Sequence, residues 1–224
     1  MKALFGGSFN PVHFGHLILA RDALETLNLE RVIFVPAYLQ PLKGELLIPP
    51  EVRLELLKVS LKGEEGFEVW DYELRKGGIS YTVETLREFH RVYGEKPLFM
   101  MGADSFNSFH LWREPREILR LARVLVFYRP GYQLKVEEVL EELGVTLRCV
   151  TVSYGEKALI GEDVDLLIFK GRALEISSTE IRNRLKSGRP ISFFLPKEAE
   201  RILRRWWEDA FQEDVQQDDP EGHP

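Results

Sequence analysis

A chain of 224 residues, 44% hydrophobic and 29% charged, has the size and composition of one sizeable α/β domain. A formal net charge of −6 opposes a broad electrostatic grip on nucleic acid or anionic lipid, while leaving a local basic pocket open. Cys149 is the single cysteine, which excludes a disulfide framework within the chain, and no apolar run approaches the ~18 residues of a membrane helix. The expected protein is soluble and cytoplasmic, with no nucleic-acid or membrane partner.

Short β-type runs alternate with helical ones. Ala3-Leu4-Phe5 reads as a first strand, and Leu17, Ala20, Leu24 and Leu27 recur behind it at helical spacing. Val32-Ile33-Phe34-Val35 reads as a second strand. A helix is expected from Pro49-Pro50, since proline suits a first turn, with Val52, Leu56, Leu57 and Val59 on its apolar side. Phe67 to Trp70 is a third strand candidate, and Val83, Leu86 and Phe89 mark a further helix. Leu98 to Met101 forms a buried strand ending at Gly102, and Val124 to Phe127 another, stopped by Arg129-Pro130-Gly131. Two later β runs, Val145 to Val152 and Leu166 to Phe169, precede two C-terminal helices. The alternation predicts a doubly wound, mainly parallel sheet of Rossmann-like type, covered by helices on both faces. Ligands of such sheets bind at the strand carboxyl ends, where the topology reverses.

The loop after the first strand reads Gly6-Gly7-Ser8-Phe9-Asn10-Pro11-Val12-His13-Phe14-Gly15-His16. The two glycines allow a tight turn and close approach of a ligand, and amides at the following helix start can receive phosphate. His13 and His16, three residues apart around the small Gly15, can face one side and donate to a phosphate chain. A plain glycine turn with surface histidines is the alternative, and a histidine metal site is another, but no adjacent acid or cysteine completes one. The loop is neither a Walker A motif nor Gly-x-Gly-x-x-Gly. Near the other end, Ile176-Ser177-Ser178-Thr179-Glu180-Ile181-Arg182 opens a helix that ends near Gly188. Ser177 or Ser178 would cap it, and Arg182, a turn in, could reach back to an anion at its start.

These two segments resemble the His-x-Gly-His and Ile-Ser-Ser-Thr-x-Ile-Arg motifs of the nucleotidyltransferase superfamily. With Ser80-Tyr81-Thr82, Gly102-Ala103-Asp104-Ser105, Trp112 and Arg129-Pro130-Gly131, the chain from about Lys2 to Trp206 is similar to the bacterial nicotinate-nucleotide adenylyltransferases. The resemblance implies transfer of AMP from ATP, carried with Mg²⁺, to nicotinate mononucleotide, giving deamido-NAD and pyrophosphate in NAD biosynthesis. It implies one nucleotidyltransferase domain over residues 1–211, followed by an acidic tail, 212–224, without fixed structure. His13, His16 and Arg182 would be catalytic, the histidines on the α- and β-phosphates. Gly6, Gly7, Ser8, Phe9, His16, Gly102, Asp104, Ser177, Ser178, Thr179 and Arg182 would bind ATP. Lys43, Ser80, Tyr81, Thr82, Trp112 and Arg113 would bind the mononucleotide, with Trp112 stacked on the pyridine ring. No protein-held metal is expected.

Trp112 as core and Asp104 as a simple helix cap are the structural alternatives. The family usually carries Pro-Pro-His-Lys where this chain has Gln40-Pro41-Leu42-Lys43, so a phosphate contact by that histidine is absent and Lys43 remains. Lys76 stands where arginine is common, keeping charge without the planar fork, and Asn10 replaces the commoner aspartate. The rival readings are a pantetheine-phosphate adenylyltransferase or cytidylyltransferase of the same fold, and a non-catalytic nucleotide sensor. Ala199, Ile202, Leu203 and Trp206 give the last helix an apolar face, while Trp207 and Phe211 lie off it and offer a candidate contact for a homo-oligomer.

Overall fold

The computed structural model describes residues 1–41, 46–128, 133–158, 160–161, 163–172 and 174–211. Leu42, Lys43, the Arg129-Pro130-Gly131 stop and the acidic tail lie outside the described residues. In chain order the elements are β1 (Lys2–Gly7), α1 (Phe14–Thr26), β2 (Arg31–Pro36), α2 (Pro50–Ser60), β3 (Phe67–Val69), α3 (Tyr72–Lys76) and α4 (Thr82–Tyr93). Then come β4 (Leu98–Gly102), α5 (Ala103–Asn107), a 3-10 turn (Phe109–Leu111), α6 (Pro115–Leu121), β5 (Arg123–Tyr128), α7 (Val136–Leu143), β6 (Cys149–Ser153), β7 (Leu166–Lys170), α8 (Ser178–Lys186) and α9 (Lys197–Phe211).

The strands form one seven-stranded sheet in the order β3-β2-β1-β4-β5-β7-β6, and every pairing is parallel. Period-two alternation sends Ala3 and Phe5 of β1 to one face and Leu4 to the other. The first face is closed by α1, α2, α8 and α9, through residues such as Leu19, Leu57, Ile181 and Leu203. The second is closed by α4 to α7, through Leu86, Phe106, Ile118 and Val139. Such two-sided burial is the reason these strands read as continuous apolar runs. The sheet order reverses beside β1, between β1 and β4, so a crevice opens where Gly7 and Gly102 end those two strands.

Three local features differ from the sequence reading. The β6 ladder begins at Cys149, not Val145, because the Arg148 carbonyl accepts the Asp165 and Leu166 N–H groups at 3.1 and 3.2 Å; Val145 and Leu147 pack against the core as loop residues. On α2 the buried stripe is Arg53, Leu56, Leu57 and Ser60, with Val52 and Val59 only partly covered. On α9, Trp206 and Trp207 both pack against the core, and the Trp207 and Phe211 rings lie 4.3 Å apart. Among the described residues no helix is long and apolar enough to cross a membrane.

Leu203 of α9 is fully buried against the sheet. Its replacement by alanine is expected to lower unfolding stability by about 2–5 kcal/mol, read from the urea midpoint at constant slope. A loss under about 0.5 kcal/mol would mean that α9 is not part of the cooperative core.

Candidate active site

The crevice contains two adjoining cavities. One, of about 660 Å³, is lined by the loop after β1 and the start of α8; the other, of about 410 Å³, by the start of α4 and the segment around Trp112. They share Gly6, Gly7, Gln40, Gly102, Asp104 and Ser105.

Gly6 and Gly7 are strand residues, paired with Val35 and Pro36, and not the turn itself. Their role is steric: a Cβ on Gly6 would meet the Phe99 ring and one on Gly7 the Phe9 ring, each at 3.1 Å. The chain turns instead at Phe9, a buried residue held at φ +43 and packed edge-on against Phe5 and His16. A non-glycine residue in this backbone region is locally strained, and the aromatic packing holds it there.

His13 is the residue that precedes α1, and its N–H donates to Nδ1 of His16 at 3.2 Å. An accepting Nδ1 makes Nε2 the protonated nitrogen of a neutral His16. The two imidazoles stack, with centroids 3.7 Å apart and planes at 29°. Gly15 serves this stack rather than a ligand. A Cβ there would lie 2.9 Å from the His13 ring and 3.4 Å from the Ile176 carbonyl.

The C-terminal motif is bolted onto the same loop. Ser177 caps α8, its Oγ accepting the Glu180 N–H at 3.1 Å. Ser178 Oγ donates to the Pro11 carbonyl at 2.8 Å. Arg182 donates through Nη1 to the Asn10 carbonyl at 2.7 Å and through Nη2 to Thr179 Oγ1 at 3.1 Å. Burial lowers the Arg182 pKa from its ordinary value. Asn10 Oδ1 accepts the Ile48 N–H at 3.0 Å, a bond that an aspartate would make equally well. His13, His16, Ser8, Phe9, Ser177, Ser178, Thr179 and Arg182 thus all line the larger cavity, which sets the start of α8 in its wall, the end of a helix that favours anions.

The smaller cavity gathers Ser80, Tyr81, Thr82, Trp112 and Arg113. Thr82 is the first residue of α4, where the helix dipole favours an anion. Trp112 is half-buried, and its ring is wedged against Phe99 and Phe109 at centroid distances of 6.3 and 5.3 Å. Asp104 is exposed in the first turn of α5. Gly102 is the residue that caps that helix, and its missing side chain admits the Asp104 carboxylate over it. Arg113 lies over the Tyr81 ring at 4.6 Å and donates to Glu84 Oε1 at 3.0 Å. Glu84 also pairs with Lys76, so one carboxylate ties α3 to the residue that follows Trp112.

Two residues central to this arrangement escape a reading of the sequence. Arg53 is fully buried and, among the described residues, forms no ion pair. Its Nε donates to the Ile48 carbonyl at 3.0 Å, its Nη1 to the Ser8 and Ala37 carbonyls at 2.7 Å each, and its Nη2 to the Tyr38 carbonyl at 3.2 Å. Burial pulls its pKa down to about 10, so it stays charged near neutrality. Glu73, on α3, is buried in the wall of the smaller cavity. Burial raises its pKa, opposed by hydrogen bonds from Thr85, at 2.6 Å, and Ser80. The signal for Arg53 is its position, three and four residues before Leu56 and Leu57. For Glu73 it is Thr85, a hydroxyl on the apolar side of α4.

Among the described residues no group of three or more His, Cys, Asp or Glu is placed to hold a metal ion.

A cytidylyltransferase-like family model matches residues 4–184. A probable nicotinate-nucleotide adenylyltransferase of Aquifex aeolicus is 46% identical over 181 residues, 80% of this chain and 100% of the relative. One of Opitutus terrae is 37% identical, over 87% of this chain and 90% of its own. Among solved structures, a Plasmodium falciparum nicotinic acid mononucleotide adenylyltransferase complexed with NaAD has a TM-score of 0.67 at 14% identity, covering 92% of this chain and 95% of the other. Likeness at that identity speaks for the fold alone.

Replacing Arg53 by lysine keeps the charge but cannot reach four separate main-chain carbonyls with one point donor. The expected loss is about 2–4 kcal/mol, with a matching fall in melting temperature. A loss below about 0.5 kcal/mol would show that the guanidinium fork is dispensable.

Proposed function

This chain belongs to the cytidylyltransferase-like family, among the nicotinate-nucleotide adenylyltransferases, and from that premise we propose how its two cavities divide the reaction. ATP enters the larger cavity as its Mg²⁺ complex, and nicotinate mononucleotide enters the smaller. The observation that carries this reading is the clasp between the two motifs: Arg182 and Ser178 bonded to the Asn10 and Pro11 carbonyls, immediately ahead of the stacked histidines.

In this reading a phosphate oxygen of nicotinate mononucleotide attacks the α-phosphorus of ATP in line. The bond from that phosphorus to the bridging oxygen breaks, and pyrophosphate leaves with the electron pair. The attacking phosphate is already ionised near neutrality, so no strong general base and no covalent enzyme intermediate are needed. Catalysis then rests on positioning and on charge stabilisation. His16 Nε2–H, fixed by the bond at Nδ1, donates to the transferring phosphate, and His13 steadies the adjoining one. The α8 amides, with Thr179 and Arg182, receive the leaving pyrophosphate. Gly102 and Asp104 sit against the adenosine half. Thr82 at the start of α4 meets the nicotinate carboxylate, and Trp112 stacks on the pyridine ring. Mg²⁺ rides on the triphosphate, which suits a cation that keeps its waters and takes few protein ligands. The cytoplasm, where ATP is abundant, is the compartment proposed for this reaction, and residues 1–211 the unit that performs it.

Steady-state kinetics test these roles. His16→Ala is expected to lower kcat by about 10²–10³-fold with the melting curve unchanged. An unaltered kcat would remove His16 from the mechanism. Trp112→Ala is expected to raise KM for nicotinate mononucleotide about tenfold or more, by loss of ring stacking, and to leave KM for ATP nearly unchanged. Equal effects on both substrates would place the acceptor elsewhere.

A further inference from the structure

The smaller cavity has a buried carboxylate in its wall, and the chemistry proposed above gives it no task. Glu73 is 8% exposed, and its environment is built to hold it in place. Thr85 Oγ1, from the first turns of α4, donates to Oε1 at 2.6 Å. The Ser80 hydroxyl, from the segment that leads into α4, bonds the same carboxyl. Ser80 Oγ in turn accepts the Tyr38 N–H at 2.9 Å, and the Tyr38 carbonyl accepts Arg53 Nη2 at 3.2 Å. A hydroxyl has one hydrogen to give, so Ser80 spends it on Glu73 and uses a lone pair for Tyr38. The bridge between Leu39 and Ile79, with the Ser80 N–H donating to the Leu39 carbonyl at 2.9 Å, closes the same junction.

One polar chain therefore runs from the Ser8 carbonyl, beside the phosphate loop, through Arg53, the Ala37–Tyr38 peptide (its carbonyl bonded to Arg53, its N–H to Ser80) and Ser80 to Glu73 and Thr85. Its far end sits under the residues that begin α4. Lys76 and Glu84 are the other charges that face this carboxyl, and they pair with each other.

We propose that Glu73 is a positioning residue for the acceptor: by fixing Ser80 and Thr85 it sets the place of Tyr81 and Thr82 relative to the phosphate loop. This rests on the assignment of the smaller cavity to nicotinate mononucleotide. Glu73 need not touch the substrate. It acts through the hydroxyls it orients, and its loss loosens the wall of the acceptor cavity while leaving the ATP cavity intact.

The test uses Glu73→Gln, which keeps shape but presents an N–H₂ where one accepting oxygen stood, together with Thr85→Val and the double variant. Hydrogen exchange on the substrate-free protein reports on the network itself. In Glu73→Gln the Tyr38 amide should exchange about tenfold faster or more, as a bond of ~1.4 kcal/mol would require, with the Leu125 amide of β5 unchanged. Kinetics report on the role. Each single variant should raise KM for nicotinate mononucleotide about tenfold, with kcat and KM for ATP within about threefold, and the double variant should be no worse than either single one. Unchanged exchange at Tyr38, equal rises in both KM values, or additive single effects would each overturn the proposal. If Glu73→Gln fails to fold, Thr85→Val carries the same two readouts. A wild-type protein that exchanges as described but does not use nicotinate mononucleotide refutes the acceptor assignment and leaves the network standing.

Discussion

A single guanidinium, buried and bonded to main-chain carbonyls, holds the mouth of this protein together. Taking a cation out of water is unfavourable by several kcal/mol, and Arg53 recovers it through hydrogen bonds to four main-chain carbonyls. Those carbonyls come from the loop after β1 and from both ends of the connection between β2 and α2. Each is a loop that a parallel sheet leaves hanging at its carboxyl edge, with unpaired oxygens. One planar fork satisfies them together and so fixes the distance between the two cavities. Had the same carbonyls been paired with water, the two loops would be free to move separately, and two substrates could not be held in one geometry.

The phosphate side is fixed by the same economy of parts. The first loop and the start of α8 are 167 residues apart in sequence at Pro11 and Ser178, yet they are joined by a hydroxyl and a guanidinium to consecutive main-chain carbonyls. Gly15 lets the His13 ring lie flat over the backbone, and Phe9 supports the edge of His16. The imidazoles are consequently set by packing and by one backbone bond, before any ligand arrives. Preorganisation of this kind is what a reaction without covalent or acid–base steps requires, because its rate depends on where donors stand as charge shifts between phosphates.

Much of this was legible in the sequence. Alternating apolar runs gave the doubly wound sheet, and the residues read as ATP-binding all line one cavity. Of those read as acceptor-binding, all but Lys43, outside the described residues, line the other. What the sequence hid was the reason for particular residue types. Gly6 and Gly7 look like a turn but are strand positions that make room for Phe99 and Phe9. Arg53 reads as a solvated helix position because arginine is rarely buried without a partner, and nothing in a linear pattern shows that its partners are carbonyls. Glu73 depends on Ser80 and Thr85 across a chain reversal, a juxtaposition that spacing along one helix cannot disclose. Each miss is a tertiary contact, steric or hydrogen-bonded, which has no period to be read.

The central claim is that the two cavities join a triphosphate to a pyridine mononucleotide that carries a carboxylate. Pyrophosphate release from Mg-ATP, measured in parallel with nicotinate mononucleotide, nicotinamide mononucleotide and phosphopantetheine, tests it directly. The account predicts the highest kcat/KM with the nicotinate substrate. Faster release with either other acceptor would contradict the roles given to Thr82 and Trp112. ATP binding without release with any of the three would contradict the catalytic claim itself and favour a nucleotide sensor.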